Sequence, residues 1–198
     1  MGWNDFTLYL TLGFRHIADW RAYDHILFVA VLTVSYAPGE WRRVALLVTA
    51  FTVGHSITLA LATLDLVRVR ASVVEPAIAL TIVATALLAI HDQRREARPG
   101  GAPWWRRYAL ALGFGLIHGL GFSSYLRSLL GGDEGIALPL FSFNVGLELG
   151  QLVVVLCTIA LGVFVERIWR WSRRDWVLVV GGAAAGIGTT LLLGRLLG

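Results

Sequence analysis

The sequence contains no lysine, a single cysteine and a single methionine, and only 15% of its 198 residues are charged. A soluble domain carries about 25% charged residues, so this shortage excludes a soluble enzyme, a disordered chain and a nucleic-acid-binding domain. Cys157 stands alone in an apolar run, which excludes an internal disulfide framework. Hydrophobic residues make up 57% of the chain. Together these features predict an all-α, polytopic integral membrane bundle in contact with the lipid bilayer.

Six apolar stretches are candidates for crossing a bilayer, which takes about 20 residues. They are residues 24–37, 44–64, 75–90, 108–129, 137–165 and 176–197. The first is short, and either it extends back through residues 7–20 or that stretch forms a separate helix at the interface. We therefore predict one transmembrane domain over residues 1–198, with six transmembrane helices or seven. Residues 1–20 lack the pattern of a cleavable signal peptide, so we expect the first membrane helix to direct targeting.

The distribution of arginine predicts the orientation of these helices. Of the 17 arginines, eleven follow the first, third and fifth stretches, and six lie on the other side. Under the positive-inside rule the richer side is cytoplasmic, which places both termini outside. Asp133 and Glu134, in the loop after the fourth stretch, fit the outer face. No internal repeat is strong enough in the sequence to indicate an inverted-repeat transporter.

Ionisable side chains inside apolar stretches are the most informative residues, because a charge in the hydrocarbon costs several kcal/mol unless it is paired or bound. At 1.5 Å per residue, His55, His118 and Glu148 each lie about 15 Å from the start of their stretches. We therefore expect these three side chains to converge near the midplane. Asp24, His25 and Glu75 fall near the outer end of their stretches. Five stretches could thus surround one polar pocket that opens to the outside.

Glycines and amides accompany these ionisable residues. Gly115 and Gly119 flank His118, and small residues at this spacing let helices approach closely. Asn144 and Gln151 lie on the same helical face as Glu148. Imidazole and carboxylate without thiolate suit divalent nickel, zinc, cobalt or iron. We expect three polar neighbours to orient the ligands, namely Ser56, Asn144 and Gln151.

A structural role is the alternative for several of these residues. A single membrane histidine is more often a hydrogen-bonded packing residue than a ligand, and His16 fits a solvated position at the interface. Glu75 also suits the start of a helix, where the dipole favours a carboxylate. His91 and Asp92 are expected to begin a solvated loop at the cytoplasmic boundary.

Five sequence segments, taken in order, resemble the HupE/UreJ family of small bacterial membrane proteins. They read GFRHIADWRAYDHILF, TAFTVGHSITLALA, VVEPAIALTI, FGLIHGLGF and FNVGLELGQ. The resemblance is clear from residue 6 to residue 151 and looser beyond. Seven residues separate His16 from Asp24, a longer spacing than in many members. The resemblance implies functional positions at His16, Asp24, His25, His55, Glu75, His118, Asn144 and Glu148.

The resemblance also implies a function in handling nickel, since the family is named for hydrogenase and urease gene clusters. We expect a multi-pass permease of the bacterial inner membrane that moves a divalent transition metal, nickel or zinc, inward. A second interpretation is an intramembrane zinc hydrolase with Glu148 or Asp24 as general base. A third is a metal-binding subunit without activity, in a homo-oligomer or a larger membrane complex. The sequence shows no polar path through the inner half of the helices, which counts against a simple permease.

Overall fold

The computed structural model describes residues 3–21, 23–95, 105–130 and 135–197. The prediction for Asp133 and Glu134 falls outside these residues, and so does Arg98, one of the eleven arginines on the richer side. The described chain is all-helical, with seven α-helices, one 3-10 helix and no strand. The α-helices are α1 (Trp3–Ala18), α2 (Tyr23–Thr33), α3 (Trp41–Thr63), α4 (Ala71–Arg95), α5 (Trp105–Leu130), α6 (Ala137–Ile168) and α7 (Arg173–Leu197), and the 3-10 helix is Pro38–Glu40.

Four helical stretches are long and apolar enough to cross a membrane by length and composition. They are Pro38–Thr63, Ala71–Gln93, Ala137–Ile168 and Arg173–Leu197. Of the other helices, α5 has 26 residues, and α2 is a shorter apolar helix of 11. These features are those of a helical membrane protein.

Three helices begin at the same end of the bundle. α3 and α5 run in the same direction, since Gly54 packs on Leu112 and Gly119 packs on Thr58. α4 and α7 run in opposite directions, because Arg195 near the end of α7 reaches the carbonyl oxygen of Glu75 near the start of α4. We call the shared end the basic end. Six arginines lie there, in the first turns of these helices: Arg42, Arg43, Arg106, Arg107, Arg173 and Arg174.

The first stretch of the chain crosses the bundle as a broken helix. α1 runs in the same direction as α6, with Gly13 against Phe143 and Gly150 against Ile17. The chain then turns at Asp19, whose carboxylate accepts a hydrogen bond from the backbone of Arg21 over 2.9 Å. α2 continues to the basic end, where it packs on α4, α6 and α7. The segment before α2 is therefore a packed part of the bundle rather than a helix apart from it.

Candidate metal centre

Four histidines from four helices meet in the middle of the bundle. His16 ends α1, His25 begins α2, His55 lies in α3 and His118 lies in α5. Ring centroids are 4.5 Å apart between His16 and His25, and 5.0 Å apart between His25 and His118. His55 lies 5.9 Å from His16 and 6.4 Å from His25. We call these four side chains the histidine cluster.

The histidine cluster is buried. His55, His118 and His25 are 0%, 1% and 5% exposed, and His16 is partly buried. Two of the rings, those of His55 and His118, lie on helices that pack closely together, because α3 and α5 approach each other through glycines. A Cβ added to Gly115 would collide with the carbonyl oxygen of Phe51, and one added to Gly54 would collide with that of Leu112.

Most of the buried ring nitrogens have no hydrogen-bond partner. They are Nε2 of His16, Nε2 of His25, Nδ1 and Nε2 of His55, and Nδ1 of His118. A buried polar atom without a partner costs about 1–3 kcal/mol. Five such atoms in one place are unusual in a packed core, and a ligand bound among them would give them partners.

Two ring nitrogens are held by neighbouring side chains. Nδ1 of His25 lies 3.2 Å from Oδ1 of Asp24, and Nε2 of His118 lies 2.8 Å from Oγ1 of Thr81. A metal-binding histidine usually engages a carboxylate or another oxygen through its second nitrogen, which fixes the orientation of the ring. Both rings therefore keep their other nitrogen for a ligand.

The donor set of the histidine cluster fits a divalent transition metal. Neutral imidazoles are good ligands for zinc, nickel, copper and iron, whereas calcium and magnesium take oxygen ligands. Within the described residues, no three His, Cys, Asp or Glu side chains are already arranged to hold an ion. Binding to the histidine cluster therefore requires the rings to rotate from the positions that they occupy here.

Phenylalanines enclose the histidine cluster. Phe122 lies 4.2 Å from His16, and Phe28 lies 4.8 Å from His118, between ring centroids. Phe143 lies 6.4 Å from His55 with its ring nearly parallel. Such an apolar wall excludes water and strengthens electrostatic interactions among the groups inside it.

A comparison with known protein families decides the identity of the chain. The family model described as HupE / UreJ protein matches residues 1–193. The chain belongs to the HupE/UreJ family. The comparisons with curated proteins and with solved structures gave no match. The family match therefore covers nearly the whole chain and not only the five segments that carry the resemblance in the sequence.

The HupE/UreJ motifs contribute unequally to the histidine cluster. The structure brings together His16, Asp24, His25, His55 and His118, which come from three of the five segments. His16, for which a solvated interface was the alternative, has its ring against three other rings of the centre. Of the remaining motif residues, Glu148 accepts its hydrogen bond from Thr49 of α3 instead.

The polar face of α6 in this HupE/UreJ chain pairs with threonines of α3. Thr49 donates a hydrogen bond of 2.6 Å to Oε1 of Glu148, and Thr52 donates one of 3.0 Å to Oε1 of Gln151. Thr49 and Thr52 precede His55 in α3, so both pairs lie on the basic-end side of that histidine. The basic-end side of His55 therefore holds two polar pairs, whose threonines the apolar sequence pattern did not indicate.

Two of the expected orienting residues have local positions in the structure. Ser56 donates a hydrogen bond of 2.6 Å to the carbonyl oxygen of Thr52, one turn earlier in α3. Oδ1 of Asn144 is buried without a partner. Neither residue has a recorded bond to a ring of the histidine cluster.

The far end of the HupE/UreJ bundle holds Glu75 beside an arginine. Glu75 is exposed, and its carbonyl oxygen accepts a hydrogen bond of 2.8 Å from Arg195. The same guanidinium lies 3.3 Å from Oδ2 of Asp24. Arg195 therefore ties α7 to the carboxylate that holds His25.

Sequence reasoning missed Thr81 and Arg195 as parts of the centre. Thr81 is 2% exposed and sits in an apolar helix, where a threonine gives no signal by itself. Arg195 is the one charged residue between residues 176 and 197, close to the end of α7. Such a position also suits a residue at the membrane surface. Its role depends on contacts with two distant helices, which no local pattern carries.

Proposed function

We propose that the protein is a membrane permease for a divalent transition metal, with the histidine cluster as the binding site of the transported ion. One observation carries this proposal. Four imidazoles, three of them buried and one partly buried, lie together with five ring nitrogens that lack hydrogen-bond partners. Packing alone gives no reason to gather these costly groups, whereas an ion that binds nitrogen does.

Nickel or zinc is the proposed cargo. Both ions accept several imidazole ligands, and neutral ligands suit a site that must release its ion again. Membership of the HupE/UreJ family supports nickel, because the resemblance implies a link to nickel enzymes. Asp24 adds one negative charge beside His25, and its pairing with Arg195 limits how strongly that charge can hold the ion.

The proposed setting is the bacterial inner membrane, with a single transmembrane domain of six spans. α1 and α2 together form the first span, and α3 to α7 form the others. The basic end then faces the cytoplasm and both termini face outside, by the positive-inside rule. In this orientation the mouth of the site, with Asp24 and His25, faces outward, and Glu148 lies on the inner side of His55.

Metal uptake by purified protein in liposomes tests this proposal. We expect Ni²⁺ or Zn²⁺ to accumulate inside vesicles that contain the protein, and His118→Ala to abolish both binding and uptake. His91→Ala is the matched control, because its side chain is 55% exposed and lies outside the histidine cluster. It should bind metal like the original protein.

The other outcomes separate the rival functions. Metal that stays bound without uptake rejects the permease, and it leaves an intramembrane hydrolase or a metal-binding subunit of a complex. Equal metal binding by the original protein and His118→Ala rejects the histidine cluster as the site.

A further inference from the structure

Two short sequence patterns occur once in each half of the chain. Leucine, glycine and histidine recur at the same spacing at residues 10–16 in α1 and at residues 112–118 in α5. Phenylalanine, valine and glycine recur at residues 51–54 in α3 and at residues 143–146 in α6. In chain order, α1 and α3 therefore correspond to α5 and α6.

The two copies of each pattern also make the same contacts. The glycine of the first pattern packs on the phenylalanine of the second, and the glycine of the second packs on the leucine of the first. The four pairs are Gly13–Phe143, Gly115–Phe51, Gly146–Leu10 and Gly54–Leu112. In each pair an added Cβ would collide with the carbonyl oxygen of the partner, so both halves depend on the same close approach.

The corresponding helices run in opposite directions. α5 begins at the basic end, whereas α1 runs toward it beside α6. α3 begins at the basic end, and α6 ends there. The third helices, α4 and α7, are antiparallel neighbours in the same way. The two halves are therefore related by an approximate twofold axis that lies across the bundle, an arrangement that transporters with inverted repeats use.

The histidine cluster lies at this axis. His16 and His118 occupy the same position of the first pattern, and His25 lies between them, 4.5 Å from one and 5.0 Å from the other. Their surroundings also correspond. His118 lies 5.2 Å from Phe51, and His16 lies 5.8 Å from Phe143, the matching phenylalanine.

One ion pair lies on each side of the histidine cluster. At the far end, Arg195 of α7 lies 3.3 Å from Asp24 of α2. At the basic end, Asp92 of α4 lies 3.3 Å from Arg107 of α5. Each ion pair joins the two halves. Its first member lies near the end of the third helix of one half, α7 or α4, and its second member lies in the first span of the other half. Asp92, expected in a solvated loop, is instead 7% exposed within α4.

A cavity of about 50 Å³ lies behind the pair at the basic end. Ser35, Thr85 and Asp92 are among the polar residues that line it. Oδ1 of Asp92 is buried and accepts no hydrogen bond, with Nδ1 of His91 3.6 Å away. A cavity of this size holds several water molecules or a partly hydrated ion.

A layer of phenylalanines separates this cavity from the histidine cluster. Phe114 lines the cavity and lies 6.2 Å from Phe28. Phe28 in turn lies 4.9 Å from Phe51 and 4.8 Å from His118, between ring centroids. Two aromatic side chains thus stand between the cavity and the nearest imidazole.

We infer that the chain consists of two inverted repeats of three spans, and that the Asp92–Arg107 pair and its cavity form the inner gate of the ion's path. The Asp24–Arg195 pair is the outer counterpart of this gate. Opening of one pair accompanies closing of the other, because each half contributes to both ends. The ion and the assignment of an inner and an outer side rest on the proposed function, whereas the repeat and the two ion pairs at its ends do not.

Labelling of a single cysteine in the cavity tests the two gates. In a Cys157→Ser background, Ser35→Cys places one thiol in the cavity, and its rate of reaction with a water-soluble maleimide reports on opening at the basic end. We expect Asp92→Asn to raise this rate at least about fivefold, because a broken pair no longer holds α4 to α5. We expect Arg195→Gln to lower the rate, because release of the outer pair favours the state that is closed at the basic end.

Two further variants keep the test decisive. Arg173→Gln breaks a part-buried pair with Glu166 at the same end and should leave the rate unchanged. The exchange of Asp92→Arg with Arg107→Asp should return the rate toward the original value, and size-exclusion chromatography should show that each variant is folded.

The labelling results separate this inference from the proposed function. Equal rates in all variants, or shifts in the same direction for Asp92→Asn and Arg195→Gln, overturn the paired gates. Opposite shifts together with metal binding that does not depend on His118 support the gates and reject the histidine cluster as the metal site.

Discussion

In the histidine cluster, the same features that leave His55 available to a ligand also lower the stability of the fold. His55 is completely buried, and neither ring nitrogen has a partner. Such a residue lowers the stability of the metal-free fold, since apolar groups of similar size fill a core without this cost. The corresponding position in the second half of the chain holds Leu147, which is also completely buried.

Replacement of His55 by leucine is therefore expected to leave the melting temperature of the metal-free protein unchanged or raise it. The same variant should lose the increase in melting temperature that saturating Ni²⁺ gives the original protein, about 2.7 kcal/mol of stabilisation at 100 times the dissociation constant. Thermal unfolding in detergent, with and without metal, measures both effects. A large drop in the stability of the metal-free variant would show that His55 has a structural role.

Thr81 is expected to tune metal affinity without binding the ion. Its hydroxyl lies 2.8 Å from Nε2 of His118, so Thr81→Val removes the partner that orients this ring. Loss of such a partner typically weakens metal binding about 10- to 100-fold. Calorimetric titration with Ni²⁺ measures the change. Thr85→Val is the control, because Thr85 donates its hydrogen bond to the carbonyl oxygen of Thr81 and not to a histidine; similar weakening in both variants would contradict a specific role.

At the level of helices, glycine decides which elements approach each other. Gly54 and Gly115 let α3 and α5 pack backbone against backbone, whereas Gly113 in the same helix as Gly115 has open space beside it. Gly113 and Gly115, two residues apart in α5, thus have different structural roles, which the sequence alone does not distinguish.

Alanine substitution should separate these glycines. We expect Gly54→Ala to destabilise the protein by about 1–3 kcal/mol, because the methyl group meets a backbone that cannot move aside easily. Gly113→Ala should be neutral or stabilise by up to about 1 kcal/mol, the difference in helix propensity. Denaturant or thermal unfolding in one detergent compares the two variants. Equal destabilisation would indicate that the close approach of α3 and α5 is not required.

Sequence reasoning predicted helices better than it predicted their neighbours. Apolar length indicated α3, α4, α6 and α7, because a bilayer imposes a minimum length on any span. It left the first stretch ambiguous, since the chain breaks at Asp19 into two short helices, α1 and α2. The repeat could not be recognised in the sequence because the two halves share only a few residues. Their importance becomes visible only in the contacts between α1 and α6, two helices that are far apart in the chain.

The sequence predicts how deep a side chain lies along its helix, but it does not predict the direction in which that side chain points around the helix axis. His55 and His118 were expected near the middle of the bundle, and the structure places them there in one cluster. Glu148 has a similar depth, but its hydrogen bond is to Thr49. Asp92 was expected in a solvated loop because it lies among arginines, yet α4 continues past it and buries it.

For the whole molecule, the basic end predicts which side of the membrane each loop occupies. Alkaline phosphatase is active only outside the cytoplasm, so its fusion after residue 197 should be active. A fusion at residue 170, between α6 and α7, should be inactive. Enzyme assays of intact cells measure both. The proposed orientation would be contradicted if the fusion at residue 170 were active, or if both fusions were inactive.

The pairing of α1 with α6 has a consequence for how the protein is made. The first helix leaves the ribosome long before its partner, and its face around Gly13 lacks the backbone of α6 until the sixth helix has been made. His16 therefore gains the support of this partner only after α6 has been made. A chain that ends before α6 would leave Gly13 without the backbone that it packs on, and the first helix would have nothing to hold its histidine in the cluster.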